Sequence, residues 1–280
     1  MGLYDLMINR RSVRVFTKQT ISQDVINRLL DVANNSPSGG NIQPISIITV
    51  QSSEAREKLG KLIGSQPWVK NAPLSMIFCI DFYRIKKWAI LSGTNFLGEN
   101  ALSHFLIAYA DIMCAAQNIV ILAEDLGLGS VYVGSIQSII DEVREFFNIP
   151  SLVLPMMLLC IGYPESKPNS IPKLHRSVIS HSENYTLLND AEIQKAYDDK
   201  YGNFDDDLEK YFLKAYIEVI EASKQQEANW LKLVKRRVSK LQIKNHAQFL
   251  FKLRYPTESM VRMNKVQIKS FIEANFNFFD

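Results

Sequence analysis

The sequence is poor in the residues that build metal centres and redox scaffolds. Its 280 residues include only three cysteines and four histidines. No CxxC pair is present, and His104, His175, His181 and His246 show no spacing of the HExxH kind. Neither a structural nor a catalytic zinc site is expected. Cys79, Cys114 and Cys160 lie in the apolar stretches MIFCI, IMCAAQ and LLCIG, which predicts buried, inert thiols in a reducing cytoplasm.

A strong excess of one charge is also missing. A formal net charge of +3 is too small to argue for a nucleic-acid or membrane partner. The N-terminal stretch MGLYDLMINRRSVR has no sustained apolar core of the kind a secretory signal needs. The longest apolar region, near 101–123, is interrupted by His104, Asp111, Gln117 and Asn118, which argues against a membrane span. Internal repeats and low-complexity linkers are absent as well.

What is there is the making of a core. Apolar residues are 47% of the chain and charged residues 22%, the balance of a globular protein. Helices are expected over 3–9, after Thr20 or Ser22 as N-cap, over 53–63, over 101–126 with Gly127 as its end, and over 138–147. Strands are expected at ISIITV, at LSMIFCI ending at Asp81, at GSVYVG and at PMMLLCIG over 155–162. This alternation predicts a mixed α/β or α+β layer structure. The 101–126 helix is apolar over most of its circumference, so it runs through a core or a subunit interface.

Beyond residue 186 the texture changes. Residues 186–230 carry eleven Asp/Glu against five Lys/Arg, and 231–280 carry three against eleven. Helices are expected here, notably LEKYFLKAYIEVIEA and WLKLVKRRVSKL, with the two charge signs complementing each other. The reading is a domain over 1–185 and a helical C-terminal extension over 186–280 packing on the core or on a partner subunit.

Three stretches could carry chemistry. In RRSVR, an extended chain places Arg10, Ser12 and Arg14 on one side, two guanidiniums and a hydroxyl suited to a phosphate. In NSPSGGNIQP, Ser36, Ser38, Asn41 and Gln43 offer hydroxyls and amides, while Gly39 and Gly40 allow a ligand close to the backbone. A plain surface arm and a plain turn would explain each stretch alone. In GLGSVYVGS the glycines have the wrong spacing for a dinucleotide fingerprint and lead into a strand, so a Rossmann site is not expected. Gly134 instead leaves a bare backbone N–H at the strand exit.

In combination these stretches, with Gln66 before the second strand and AEDLGLGSVYVGSI followed by LPMMLLCIGYP, resemble the nitroreductase family of FMN-dependent NAD(P)H oxidoreductases, in its oxygen-insensitive and flavin-reductase branch. The resemblance covers about residues 1–185. It implies an α+β three-layer sandwich, with a mixed, mainly antiparallel sheet flanked by helices, in an intertwined homodimer with tightly bound FMN at the interface. It implies that Arg10, Arg11, Ser12 and Arg14 contact the phosphate and pyrimidine side of FMN. Ser38 and Asn41 approach the flavin ring, Gln43 and Gln66 supply amides, and Tyr132, Val133, Gly134 and Ser135 form a strand-exit loop reaching flavin N5. The family's proline–arginine step falls on Pro172 and Lys173 here, counting back from His181, with Arg176 as the substitute if the loop slips.

The activity so implied is ping-pong reduction of nitroaromatics, quinones or free flavin, with NAD(P)H as co-substrate and hydride passing through the flavin. Arg14 would stabilise the anionic reduced ring and Gly134 or Ser135 would orient it. No side-chain nucleophile or general base is needed, and no Ser–His–Asp or Cys–His grouping is visible. Asp111 and Glu124 read as partners of N–H groups or arginines, His181 as structural, and Tyr132 equally as a packing residue. The rival readings are a dehalogenating or oxygen-using enzyme on the same fold, and a flavin-binding interaction protein using the basic 231–280 segment. Nucleic-acid binding through KLVKRR is disfavoured by the low net charge.

Overall fold

The two longest strands show no alternation at all. LSMIFCID and VLPMMLLCIG are buried at every residue, as expected of strands covered on both faces. The computed structural model describes residues 2–64, 66–166, 168–202, 236 and 239–278. By contact these divide into one unit of residues 1–168 with 262–280, and a second of residues 169–261.

In the first unit, strands β1 (Ile45–Val50), β2 (Leu74–Asp81), β3 (Gly129–Val133) and β4 (Val153–Gly162) form a sheet in the order β1-β2-β4-β3, every neighbour antiparallel. The register of β2 on β4 shifts between Phe78 and Cys79, opposite Pro155. A proline has no N–H to give to the ladder, so an irregularity belongs there. Among the described residues, parallel pairing enters only as an isolated bridge between Ser12 and Ser130.

The helices preceding and following these strands are α1 (Leu3–Asn9), α2 (Gln23–Asn34), α3 (Ser53–Ile63), α4 (Pro67–Asn71), α5 (Phe82–Leu91), α6 (Leu102–Asp125) and α7 (Ile140–Phe146). Ser22 caps α2 through the Val25 N–H, and Asp81 caps α5 through the Arg84 N–H. Gly127, at φ 75°, takes the left-handed position just past α6. By length and composition α6 could cross a membrane. Here its small and branched residues Ala108, Ile112, Ala115, Ala116 and Ile119 are buried in the main core with β2 and β4.

The C-terminal residues of the first unit complete that core. Leu152 N–H donates to Ala274 O at 2.8 Å, and the buried Phe276 ring stacks on Phe82 at 5.4 Å. Contact therefore divides the chain near residue 168, where it leaves the sheet, while the textural boundary at 185 follows charge. The second unit contains the helices Arg176–Ile179 and Asp190–Tyr201, and a small cluster of Ile243, Phe249, Leu241 and Leu253. The helix expected over 208–222 lies outside the described residues, as does most of that over 230–241.

One expectation about the core is corrected. Cys79 and Cys160 are buried, but Cys114 is exposed. It stands on the side of α6 that carries Leu106 and Ala110, one helical turn apart and both exposed, so its apolar surroundings in sequence belong partly to an outward face. Helix α7 is shorter than expected, because a 3-10 turn, Gly134–Ser138, separates it from β3.

Candidate functional site

The N-terminal arm is placed by backbone pairing. Arg10 ends α1 in an extended conformation, and Ser12 then bridges Ser130 of β3 in parallel. Val13 N–H donates to Ser130 O at 2.9 Å, and Thr17 N–H donates to Tyr163 O at 2.9 Å. Val13 is buried against Gly129, so alternation leaves Ser12 and Arg14 on the opposite side of the arm, with Arg10 in register. The Arg14 guanidinium lies over the Trp68 ring, 5.5 Å from its centre. Arg11 is oriented differently: its Nη1 donates to Ile8 O at 3.0 Å and to Arg10 O at 2.8 Å, closing the end of α1.

The exit of β3 lies beside this arm. Burial pushes the Tyr132 phenol up to about 12, and the positive charge of Arg10 pulls partly the other way. The Tyr132 hydroxyl donates to Gln117 Oε1 at 3.2 Å, so the ring packs on the core with its polar end tied. Gln66, the N-cap residue of α4, donates from Nε2 to Ser135 Oγ at 2.6 Å. Ser138 Oγ donates to Ser135 O at 2.7 Å, which fixes the 3-10 turn. Gly134 is exposed, and a Cβ added to it would meet nothing within 4 Å. The strand therefore ends at open space with its backbone accessible.

The SPSGGNIQP loop is held elsewhere. Ser38 Oγ donates to Asp111 Oδ2 at 3.0 Å, and Gly39 N–H donates to the same carboxylate at 3.0 and 3.1 Å. Gln43 N–H donates to Ser38 Oγ at 2.9 Å, and Gln43 Nε2 donates to Asn34 O at 3.2 Å. Asn41 and Gln43 both adopt a φ of 53°, in the left-handed region. These bonds tie the loop to α6 and to the end of α2. The Ser38 proton and the Gln43 amide already have partners within the loop's own framework, whereas the Asn41 side chain is exposed.

The structure thus joins Arg10, Ser12, Arg14, Gln66, Tyr132, Val133, Gly134 and Ser135 around the exit of β3. Ser38, Asn41 and Gln43 lie on a separately braced loop. Lys173 and Arg176 are exposed residues of the second unit.

The Nitroreductase family matches residues 7–163, which span the arm, the loop and all four strands. The chain belongs to the nitroreductase family. A Bacillus subtilis (strain 168) relative named as an NAD(P)H FMN reductase is 32% identical over 203 residues, covering 71% of this chain and 80% of its own. A Bacteroides fragilis NCTC 9343 protein of known crystal structure superposes with a TM-score of 0.79 at 26% identity, covering 99% of this chain and 100% of that one. The NfrA1 nitroreductase of B. subtilis superposes with a TM-score of 0.70 at 26% identity, over 95% of this chain and 98% of its own.

Against that family background, two residues were missed from sequence. Trp68 lies under Arg14, and its nearness to Gln66 in sequence was the available signal. Gly129 matters through its close approach to Val13, which only the pairing of arm and strand reveals. Asp111 was read as a partner of N–H groups or arginines, and it accepts the Gly39 N–H and the Ser38 hydroxyl.

Proposed function

We propose that the protein is an NAD(P)H-dependent flavin oxidoreductase whose FMN lies along the N-terminal arm and the exit of β3. The observation that carries this reading is the Ser12–Ser130 bridge. It pairs the arm with β3, where the charge of Arg10 acts on Tyr132 and Arg14 lies over Trp68, two residues from the Gln66 that bonds Ser135. A phosphate needs localised cations and a flat ring needs room beside accessible N–H groups, and the residues present fit both demands.

Arg10, Ser12 and Arg14 would hold the phosphate and pyrimidine side. Arg11 contributes by fixing the end of α1, so that Arg10 and Ser12 keep their direction. The backbone N–H of Gly134 or Ser135 would orient the ring edge, and Gln66 keeps Ser135 in place. Tyr132 and Val133 set the floor of the strand exit, and Asn41 would meet the ring from the loop. When bound, FMN supplies a ring that accepts hydride from NAD(P)H at N5 and passes electrons to a nitroaromatic, quinone or free flavin in a second half-reaction. Arg14, steadied on Trp68, would favour negative charge on that ring.

The apolar outward residues of α6, Leu102, Leu106 and Ile107, and of α1, Leu3, Tyr4, Met7 and Ile8, are all exposed in the single chain. A second copy covering them would make the homodimer, and the unpaired cysteines suit a cytoplasmic setting. The test is spectroscopic. The purified protein, or protein given FMN, should show a flavin spectrum that bleaches with NAD(P)H and recovers with an acceptor. A colourless protein that neither retains nor uses FMN would refute the reading.

A further inference from the structure

Helix α6 carries a buried carboxylate, Asp111, that faces inward among apolar neighbours. Asp111 is 6% exposed, between the fully buried Ala108 and Ile112. Burying a carboxylate is costly unless its oxygens are hydrogen-bonded. Asp111 receives the Ser38 hydroxyl and the Gly39 N–H directly. The network goes one step further, since Ser38 Oγ in turn accepts from Gln43 N–H at 2.9 Å.

The loop so held is not one that would keep its shape unaided. Gly40, Asn41 and Gln43 take φ values of 57°, 53° and 53°, a region that glycine adopts freely, asparagine tolerates and glutamine disfavours. Gly39 also packs so tightly on α6 that an added Cβ would lie 2.4 Å from Ile107 Cγ2. A backbone in such a conformation persists when its surroundings over-determine it. Here the surroundings are the Asp111 carboxylate, the Ser38 hydroxyl and the flank of α6 on one side, with Asn34 O and the Arg84 guanidinium holding Gln43 on the other.

We infer that Asp111 is a positioning residue for the cofactor, acting through Ser38 and Gly39 to present the 38–43 loop, and Asn41 on it, in the form that meets FMN. This deepens the proposed flavin oxidoreductase reading and rests on it. The carboxylate touches neither cofactor nor substrate in this role. Its part is to accept two donors at once, which an amide can imitate: the oxygen of an asparagine would accept from Gly39 N–H while its NH2 donates to Ser38 Oγ. An alanine can do neither and leaves the half-buried Gly39 N–H without its carboxylate partner.

The experiment uses the full chain, freed of flavin and titrated with FMN, together with backbone hydrogen exchange on the flavin-free protein. Asp111→Ala should speed exchange at the Gly39 and Gln43 amides and weaken FMN binding about ten- to a hundredfold, the range expected when hydrogen bonds to a charged group are lost. Asp111→Asn should restore most of both. Ser38→Ala, which keeps the carboxylate and serves should Asp111→Ala fail to fold, should weaken binding in the same direction by a smaller factor. Faster exchange in the loop with unchanged FMN affinity in both variants would overturn the inference while leaving the flavin reading intact. Wild-type protein that binds no FMN would overturn the flavin reading itself and this role with it.

Discussion

Val13 and Gly129 touch so closely that a Cβ on the glycine would lie 2.3 Å from Val13 Cγ2. That contact lets the N-terminal arm lie against β3 and brings the Ser12–Ser130 bridge into register. Gly129→Ala should therefore push the arm away. The expected cost is about 1–3 kcal/mol, as for other overpacked sites. Denaturant unfolding would measure it, and FMN retention should fall in parallel. Unchanged stability with unchanged retention would mean that the arm adapts without consequence.

The arm's charges should matter more to FMN than to the fold. Arg10→Ala with Arg14→Ala removes two cations while leaving the backbone pairing in place. FMN affinity should fall at least about a hundredfold, because charge-assisted hydrogen bonds are lost. Fluorescence titration at two ionic strengths is the measurement, and the wild type should show the steeper salt dependence. Equal affinity in variant and wild type would place the anion elsewhere.

The outward side of α6 predicts the assembly. If a second copy covers this helix, Leu106→Glu places a charge in an apolar contact and should convert dimer to monomer in sedimentation. Cys114, exposed in the single chain, gives an independent readout. It should resist thiol reagents in the dimer and react in the monomeric variant, while Cys79 and Cys160 stay unreactive in both. Rapid labelling of Cys114 in an intact dimer would move the interface to another face.

Alkaline pH should destabilise the fold through groups that are buried neutral. Burial raises the Cys160 thiol from 9.0 to about 12, and the Tyr132 phenol from 10.0 to about 12. Both folded values lie above the unfolded ones, so the folded chain keeps protons that the unfolded chain has lost. The stabilisation is complete below pH 9.0 and drains away as pH rises towards about 12. Denaturation midpoints measured across that range should decline, and Cys160→Ala together with Tyr132→Phe should flatten the decline. Because Arg10 lowers the phenol, removing Arg10 should make Tyr132 titrate later still.

Much of this was legible in the residues. The strand ISIITV, the helix over 53–63 and the long helix ending at Gly127 were found by period, caps and breakers, because those signals are local. Helix α5 was not foreseen, since FYRIKKWAIL follows directly on a strand and its cap is Asp81, a residue counted as the strand's last. The C-terminal helix Thr257–Glu273 fell within an extension read as helical but was given no bounds of its own. Cys114 was misplaced because an apolar run says that a helix is greasy without saying which side faces out.

The sequence alone determined that a phosphate-loving arm, a small-residue loop and a glycine-ended strand existed, and in what order. Residue type and spacing carry that information by themselves. Tertiary structure decided which of them meet: a parallel bridge between Ser12 and Ser130 joins the arm to the glycine-ended strand, whereas a buried carboxylate seventy-odd residues away claims the loop. Hydrogen-bond partners and close backbone contacts between distant segments depend on how the layers stack, and no local pattern encodes that.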